Sequence, residues 1–313
     1  MRVLVTGGAG FIGSHVVEQC LLAGFEVAVL DNFSTGRRDH LPSGVPIVEC
    51  DLRDRAGMLR ALQQLKPALV SHQAAQASVP VSIKDPHLDA EVNILGGLNL
   101  LDACSAPGSS VQHLVFASTG GAIYGEVAEG QRASETSTLK PKSPYGISKL
   151  TFESLLTVYG EQRGLGSTVL RYANVYGPRQ DPLGEAGVVA RFFGAALSGQ
   201  KLAVFARRQA GDGGGLRDYV YVGDVARANL LALESKLPYP LLNIGTAEAT
   251  ATAELADHIL RITGSSSPVE QGPPRAGDLE RSVLDVSRFV AAVGAPTPLD
   301  AGLELTAEWY RAA

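Results

Sequence analysis

The chain has 313 residues, of which 45% are hydrophobic and 19% charged, and its formal net charge at pH 7 is −5. This is an ordinary globular composition, long enough for two lobes or one large α/β unit. The acidic balance gives no basic surface for nucleic acid, and no apolar run reaches the length of a membrane span.

The cysteines and the N-terminus predict the compartment. Cys20, Cys50 and Cys104 are far apart in apolar or strand-like surroundings, which matches neither a disulfide framework nor a zinc site. The first apolar residues run directly into glycines, unlike a signal peptide. We therefore expect reduced thiols, no bound metal and a cytoplasmic protein.

Strands and helices alternate through the first half of the chain. Short β-branched or apolar runs predict strands, and apolar residues at helical spacing predict helices between them. In chain order these are strand Arg2–Thr6, helix Ser14–Ala23, strands Glu26–Leu30 and Pro46–Glu49, helix Gly57–Leu65, strand Ala68–Ser71, helix Asn93–Cys104 and strand His113–Ala117. This alternation predicts an α/β fold with a doubly wound parallel sheet, the Rossmann arrangement.

A glycine-rich turn joins the first strand to the first helix. Gly7, Gly10 and Gly13 follow G-x-x-G-x-x-G spacing, which lets the backbone approach a pyrophosphate at a helix N-terminus. A generic glycine turn is the alternative. Asp31 ends the next strand eighteen residues after Gly13, where a carboxylate accepts hydrogen bonds from ribose hydroxyls and repels a 2′-phosphate. The motif therefore predicts NAD binding, in preference to NADP.

Tyr145 and Lys149 are four residues apart near the start of a predicted helix, so they share one face. A free tyrosine titrates near pH ~10, and a neighbouring ammonium lowers that pKa by favouring the phenolate. The pair can thus act as a base at neutral pH. Alternatively, Pro144 only starts a helix, Tyr145 is a half-buried aromatic and Lys149 is a solvated side chain that covers it.

Four segments together carry a family resemblance. They are the glycine turn, the stretch FASTGGAIYG at 116–125, SPYGISK at 143–149, and LRYANVYGP at 170–178. Over nearly the whole chain the sequence resembles the extended short-chain dehydrogenases/reductases, and among them the bacterial UDP-glucose 4-epimerases.

The resemblance implies roles for residues of the first half. Thr119, Tyr145 and Lys149 match the catalytic positions. The cofactor positions are Gly7, Gly10, Phe11, Ile12, Gly13, Asp31, Asn32, Asp51, Leu52, Gln73, Ala74, Ala75, Asn93, Ser118, Tyr145, Lys149 and Tyr172. This chain has one more residue before Tyr124 than the commonest family pattern, so Ser118 remains an alternative to Thr119 as the hydroxyl partner of the tyrosine.

The resemblance also implies a substrate site, formed by Thr119, Tyr145, Asn174, Val188, Arg217, Arg275, Asp278 and Ser282. The two arginines match a clamp for uridine diphosphate; surface ion pairs with Asp218 and Asp278 are the alternative. Asn174 is otherwise a structural cap. Ser282 stands where members restricted to plain hexoses carry a bulky aromatic, which predicts room for an N-acetyl group.

A tyrosine, a lysine and a hydroxyl beside NAD can oxidise a sugar alcohol to a ketone. Many dehydratases and decarboxylases of the family carry an acidic residue directly after the catalytic hydroxyl, whereas Gly120 and Gly121 stand here. We therefore expect 4-epimerisation of a UDP-hexose, as in galactose metabolism, with NAD retained. A nucleotide-sugar dehydrogenase or dehydratase of the same family is the alternative, and an NAD-binding redox sensor is the non-enzymatic one.

The expected domains are interleaved. An NAD-binding Rossmann domain covers residues 1–172, and the segment of about 217–244 returns to it as a strand and a helix. A smaller UDP-sugar lobe covers 173–313, with Gly184–Phe193 placing a helix over the base.

A homodimer is also expected. Asn93–Ala103 and Tyr145–Tyr159 have apolar faces, and in the resembled family such helices form an intersubunit four-helix bundle. Packing against the sheet of the same chain is the alternative.

Overall fold

The computed structural model describes residues 1–182, 187–275 and 277–312. The chain forms two compact units and passes between them repeatedly. The first unit comprises residues 1–119, 143–171 and 226–242, and the second comprises 120–142, 172–225 and 243–313. The segment 120–142, which we expected in the first domain, is thus part of the second unit, and the returning segment is 226–242.

The first unit alternates strands with helices. Its elements are β1 (Arg2–Thr6), α1 (Phe11–Leu22), β2 (Glu26–Asp31), a 3₁₀ turn (Arg38–His40), β3 (Ile47–Glu49), α2 (Arg55–Leu65), β4 (Leu69–His72), α3 (Val79–Lys84), α4 (Pro86–Ala90), a π-helical turn (Glu91–Leu95), α5 (Gly96–Cys104) and β5 (His113–Thr119). After the first passage through the second unit, which begins with α6 (Gly120–Ile123), come α7 (Pro144–Arg163) and β6 (Gly166–Tyr172).

The central sheet has seven strands in the order β11-β6-β5-β4-β1-β2-β3, where β11 is Leu241–Ile244. Neighbouring strands run parallel, for example Val3 opposite Val27 of β2 and Leu69 of β4. The predicted doubly wound parallel sheet is confirmed. The strand order reverses between β1 and β4, so the turns that follow these two strands mark the switch point at which such sheets bind ligands.

Helices cover the sheet and bury its core. The core of this unit includes Leu4, Leu30, Leu100, Phe116 and Phe152, all nearly inaccessible to solvent. Burial of this apolar surface stabilises the layers at about 25 cal/mol per Å².

Three predicted helix starts were wrong. The helix predicted from Asn93 is instead a π-helical turn from Glu91 followed by α5 from Gly96. α1 begins at Phe11, not Ser14, because the glycine turn itself provides the first helical residues. α2 begins at Arg55, not Gly57, because the Asp54 carboxylate accepts a hydrogen bond from the Gly57 amide at 2.9 Å and caps the helix.

The second unit adds small sheets and helices. After β7 (Asn174–Tyr176) come α8 (Val188–Leu197), β8 (Leu202–Phe205), β9 (Leu216–Arg217), β10 (Tyr219–Tyr221), α9 (Val222–Leu233), β12 (Thr250–Ala251), α10 (Thr252–Thr263), β13 (Val269–Gly272), β14 (Arg281–Ser282), α11 (Ser287–Val293) and α12 (Leu299–Ala312). The predicted strand and helix over Val220–Leu233 are therefore β10 and α9, and the latter runs into the first unit.

The core of the second unit lies among α8, α10 and α12. Phe193, Leu255, Ile259 and Leu303 are fully buried there. Within residues 1–182, 187–275 and 277–312, every helix is too short or too polar to cross a membrane.

Candidate active site

The turn between β1 and α1 is packed too tightly for side chains. Gly7 has φ +65°, and a Cβ there would lie 2.6 Å from the Ala74 amide nitrogen. A Cβ on Gly13 would lie 2.0 Å from the Gly7 carbonyl oxygen. Gly10 occupies the N-cap of α1, so no side chain fills the space in front of the first helical residues, Phe11 and Ile12. An anion such as a pyrophosphate fits this kind of helix N-terminus.

A carboxylate stands at the end of β2, beside this turn. Asp31 is 6% exposed and accepts hydrogen bonds from the backbone amides of Ala9 at 2.9 Å and Phe33 at 2.8 Å. These contacts fix the carboxylate against the glycine turn, as expected of a group that accepts from ribose hydroxyls.

Further along the same edge, the Asn32 amide donates to Asp51 at 2.8 Å. Asp51 also accepts from the Arg53 guanidinium, which holds the pKa of its carboxyl far below the usual range. Leu52 is buried. The structure thus brings together Asp31, Asn32, Asp51 and Leu52 at the C-terminal ends of β2 and β3, as the sequence predicts.

Gln73, Ala74 and Ala75 follow β4, on the other side of the switch point. The Ala74 backbone lies against Gly7, while the Gln73 side-chain amide donates to Ser71 and to Asn229, both at 2.9 Å. The backbone of this segment therefore borders the glycine turn, and the Gln73 side chain is bound to α9.

Asn93 is 6% exposed and part of a buried polar network. Its amide group donates to the Gln76 carbonyl at 2.9 Å and to Asp89 at 3.0 Å, and its oxygen accepts from the Gln76 amide at 3.0 Å. The side chain that we assigned to the cofactor thus fixes the loop after β4 to the π-helical turn, an irregular form often found at functional sites.

Tyr145 and Lys149 lie on one face of the first turns of α7, as their spacing predicts. Ser143 caps the helix by accepting from the Gly146 amide, and Pro144 is its first residue. The Lys149 ammonium lies 5.8 Å from the centre of the Tyr145 ring and donates to the Ala117 carbonyl at 2.9 Å.

Lys149 is nearly inaccessible to solvent. Burial lowers the pKa of its ammonium to about 8, and the Asp89 and Glu153 carboxylates oppose that shift. A buried lysine that titrates near neutrality, next to a tyrosine on the same helix, is a pair suited to proton transfer.

The two candidate hydroxyls at the end of β5 have different surroundings. Ser118 donates to the Glu153 carboxylate at 2.5 Å, and Glu153 forms a buried ion pair with Arg171 at 2.6 Å. Thr119, 7% exposed, is the last residue of β5. α6 begins directly after it.

In the second unit, Arg217 is held by backbone carbonyls. Its guanidinium donates to Leu216 at 3.0 Å and to Leu279 at 2.6 Å, and burial lowers its pKa. The Asp218 carboxylate instead accepts from the backbone amides of Thr246 and Ala247, so an ion pair between the neighbours 217 and 218 is not the arrangement here.

Arg275 has a carboxylate partner, Asp278, at 2.7 Å, and its guanidinium stacks over the Phe205 ring at 4.5 Å. The same neighbourhood contains Arg191, which the sequence reasoning missed. Burial and then the charge of Arg275 lower the pKa of Arg191. Its position one turn into α8, just after Val188, was the available signal.

The remaining predicted substrate residues lie on several elements of the second unit. The Asn174 amide donates to the Asp218 carbonyl at 3.1 Å. Ser282 is 3% exposed and its hydroxyl donates to the Gly121 carbonyl at 3.4 Å. Tyr172, which we assigned to the cofactor, is buried at the end of β6. Val188 begins α8, and the expected residues 184–186 before it lie outside the described part of the chain.

Comparison with known proteins gives consistent matches. The model of the NAD dependent epimerase/dehydratase family matches residues 3–245. A Thermus thermophilus UDP-glucose 4-epimerase, solved in complex with NAD, is 55% identical over the full length of both chains, with a TM-score of 0.95.

Two further solved structures are similar over nearly their whole length. A Thermotoga maritima UDP-glucose 4-epimerase with UDP-glucose is 44% identical, covering 100% of this chain and 99% of that one, with a TM-score of 0.92. A Methanobrevibacter ruminantium UDP-N-acetylglucosamine 4-epimerase in complex with UDP-N-acetylmuramic acid is 32% identical, covering 99% and 98%, with a TM-score of 0.89.

Proposed function

The chain belongs to the NAD dependent epimerase/dehydratase family, and we propose that it interconverts a UDP-hexose with its 4-epimer while NAD stays bound. UDP-glucose and UDP-galactose are the proposed pair. The observation that carries the proposal is the Tyr145–Lys149 pair on α7, with its buried ammonium, in a unit whose glycine turn fits a dinucleotide.

The residues of the first unit fit NAD. Gly7, Gly10 and Gly13 would let the pyrophosphate approach the first amides of α1, and Asp31, beside this turn, would accept from the adenosine ribose. When bound there, NAD would supply a reversible hydride acceptor for the oxidation of the sugar.

The protein groups move the proton. Tyr145 accepts the proton of the 4-hydroxyl as the carbon is oxidised, and the Lys149 ammonium stabilises the phenolate that precedes this step. Thr119 is the proposed hydroxyl partner of Tyr145, since the Ser118 hydroxyl donates to Glu153. In the return step Tyr145 gives the proton back, on the opposite face of the sugar ring.

The residues after Thr119 favour reduction over elimination. Dehydration of a keto sugar requires an acid or base that moves a proton at carbon, and Gly120 and Gly121 cannot supply one. The keto sugar is therefore reduced again after it has turned about its pyrophosphate.

The second unit supplies the cations for the diphosphate. Arg217, fixed by two carbonyls, and Arg275, oriented by Asp278, present guanidiniums that suit phosphate oxygens. Val188 begins the helix proposed to cover the uracil. The small, buried Ser282 supports the use of N-acetylated sugars as well.

A homodimer is part of the proposal. Ile147 and Val158 on α7 are 52% and 41% exposed, and Leu95 next to α5 is 56% exposed. Large apolar side chains exposed along neighbouring helices suit a helical interface with a second copy of the chain. The cytoplasmic location stays a prediction.

The test is incubation of the purified protein with UDP-galactose and no added cofactor, followed by NMR of the anomeric protons. Formation of UDP-glucose is expected. Tyr145→Phe should lower the rate by about 10² to 10⁴, the range for loss of a general acid/base. Tyr159→Phe on the same helix, where the hydroxyl contacts Asp102, is the matched control and should keep nearly the wild-type rate.

Stoichiometric reduction of added NAD would instead identify a dehydrogenase. Absence of any turnover with an intact NAD complex would favour a redox sensor. A Tyr145→Phe rate close to wild type would mean that another residue moves the proton.

A further inference from the structure

Glu153 lies one helical turn beyond Lys149 on α7, and therefore on the same helix face as Lys149 and Tyr145. Its side chain is 10% exposed. The proposed reaction gives this carboxylate no role.

Three hydrogen bonds fix the carboxylate. Arg171 donates from Nε to Oε1 at 3.0 Å and from a terminal nitrogen to Oε2 at 2.6 Å, a two-point contact with a side chain only 4% exposed. Ser118 donates to Oε1 at 2.5 Å. A carboxylate with donors on both oxygens keeps its position.

The same serine ties Glu153 to the strand that binds Lys149. Ser118 follows Ala117, whose carbonyl accepts from the Lys149 ammonium at 2.9 Å. β5 and α7 are thus joined at two adjacent positions, one through the lysine and one through the glutamate. Because the Lys149 ammonium is buried, the Ala117 carbonyl and nearby carboxylates stabilise its charge in place of water.

We propose that Glu153 is a positioning residue: held by Arg171 and Ser118, it places a fixed negative charge one turn from Lys149 and so keeps the ammonium charged beside Tyr145. Glu153 thus affects the reaction only by keeping Lys149 charged, and it does not itself contact a reacting group.

Other ionisable groups also face Lys149. Asp89 on α4 favours the charged form of the lysine and is held by Gln76 and Asn93 at 2.8 and 3.0 Å. His72 on β4 is fully buried, which lowers its pKa to about 3, so it is neutral near pH 7. Tyr145 is on α7 itself. Removal of Glu153 therefore leaves the Asp89 carboxylate to favour the charged lysine. The titration midpoint of Lys149 should fall, but the ammonium should not lose its charge altogether.

The direct test measures the titration of Lys149 by NMR with ε-¹³C-lysine. The chain has seven lysines, and Lys149→Arg identifies the signal. Glu153→Gln should lower the midpoint from the wild-type value by about one pH unit. Glu153→Asp keeps the charge and should stay closer to wild type. Glu161→Gln, at an exposed position two turns further along α7, is the matched control and should cause no shift.

Glu153→Gln leaves Arg171 buried without its carboxylate and can fail to fold. The double variant Glu153→Gln/Arg171→Gln removes both charges, and its Lys149 midpoint should still fall, but by less than in Glu153→Gln, because the loss of Arg171 also removes a nearby positive charge. An unchanged midpoint in the folded variants, or an equal shift in Glu153→Asp, would overturn the proposal.

A kinetic measurement rests on the proposed function and separates the two ideas. The alkaline limb of the epimerisation rate at saturating UDP-galactose should move down by about one pH unit in Glu153→Gln, because Lys149 loses its proton earlier. A wild-type protein without epimerase activity would refute the proposed function, while the NMR titration would still decide the role of Glu153.

Discussion

His72 is a histidine enclosed by aromatic rings at the end of β4. Its Nδ1 lies 2.7 Å from the Thr6 hydroxyl, and its ring is 5.7 Å from that of Phe116 and 5.2 Å from that of Phe152. Burial, and secondly the charge of Lys149, lower its pKa to about 3. The imidazole is thus a neutral part of the core beside the switch point of the sheet.

This histidine should make the protein sensitive to acid. Between pH ~6.5 and the folded pKa near 3, the unfolded chain binds a proton that the folded protein does not, so stability falls as the pH falls. The expected loss is up to about 1.4 kcal/mol per pH unit in this window. Urea unfolding at pH 7 and pH 5 should show a smaller acid-induced loss for His72→Phe than for the wild type.

His87→Phe is the control for that measurement, because His87 is exposed. It should lose as much stability as the wild type between the two pH values. Equal acid-induced losses in His72→Phe and the wild type would show that His72 does not titrate in this way.

The glycine turn before α1 shows how an element depends on a single position. A Cβ on Gly13 would lie 2.0 Å from the Gly7 carbonyl oxygen and 2.9 Å from the Gly8 Cα, both backbone atoms that cannot rotate away. Gly13→Ala must therefore displace the turn or the start of α1. Either movement disturbs the amides proposed to face the pyrophosphate.

We expect Gly13→Ala to lose most of its NAD. The measurement is the cofactor content of the purified protein, read from absorbance after acid release. Gly160→Ala is the matched control, since it lies inside α7 and its added Cβ would meet the Leu165 carbonyl at 3.4 Å, an ordinary contact. It should retain NAD and gain up to about 1 kcal/mol from helix propensity. Full NAD content in Gly13→Ala would contradict the assignment of the turn.

Local sequence patterns predicted the strands and helices of the first unit well, because hydrophobic periodicity and glycine turns depend only on residues that are close in sequence. The strands from Arg2 to Thr119 were placed within about two residues. The error at α2 arose because the Asp54 cap determines where the helix starts, and the error at α1 arose because the glycine turn continues into the helix.

Local patterns did not predict contacts between residues that are far apart in the sequence. In the second unit β9 pairs with Thr250–Ala251 on one side and Arg281–Ser282 on the other, and two-residue strands carry no period. The Glu153–Arg171 pair joins a helix to the following strand, and nothing in either segment alone indicates that the charges meet. Similarly, the Asn93 network depends on a π-helical turn that periodicity does not distinguish from an α-helix.

For the whole molecule, the net charge of −5 opposes anionic ligands, so local groups must bind them. In the second unit the charge of Arg275 contributes to lowering the pKa of both Arg191 and Arg217, so these three cations lie near one another. In the first unit the partial positive charge of the α1 N-terminus acts on the proposed pyrophosphate. We infer that short-range contacts, more than the net charge of the protein, determine the affinity for NAD and for the UDP-sugar.

Exposed apolar side chains on α7 and beside α5 predict that two copies of the chain associate. Ile147 and Val158 are eleven residues, or three helical turns, apart on α7, so they lie on the same exposed face. Leu95, directly before α5, is exposed as well. Removing these apolar side chains from water on association favours a dimer, and a charge at their position opposes it. The double variant Ile147→Glu/Val158→Glu should therefore sediment as a monomer where the wild type sediments as a dimer.

Sedimentation velocity over a range of micromolar concentrations measures this, with circular dichroism to establish that the variant is folded. Leu305→Glu is the matched control, because Leu305 on α12 of the second unit is 45% exposed and lies outside the proposed interface. It should sediment as the wild type does. A folded Ile147→Glu/Val158→Glu variant that remains dimeric would place the interface on another surface, and a wild type that is monomeric throughout would rule out the proposed assembly.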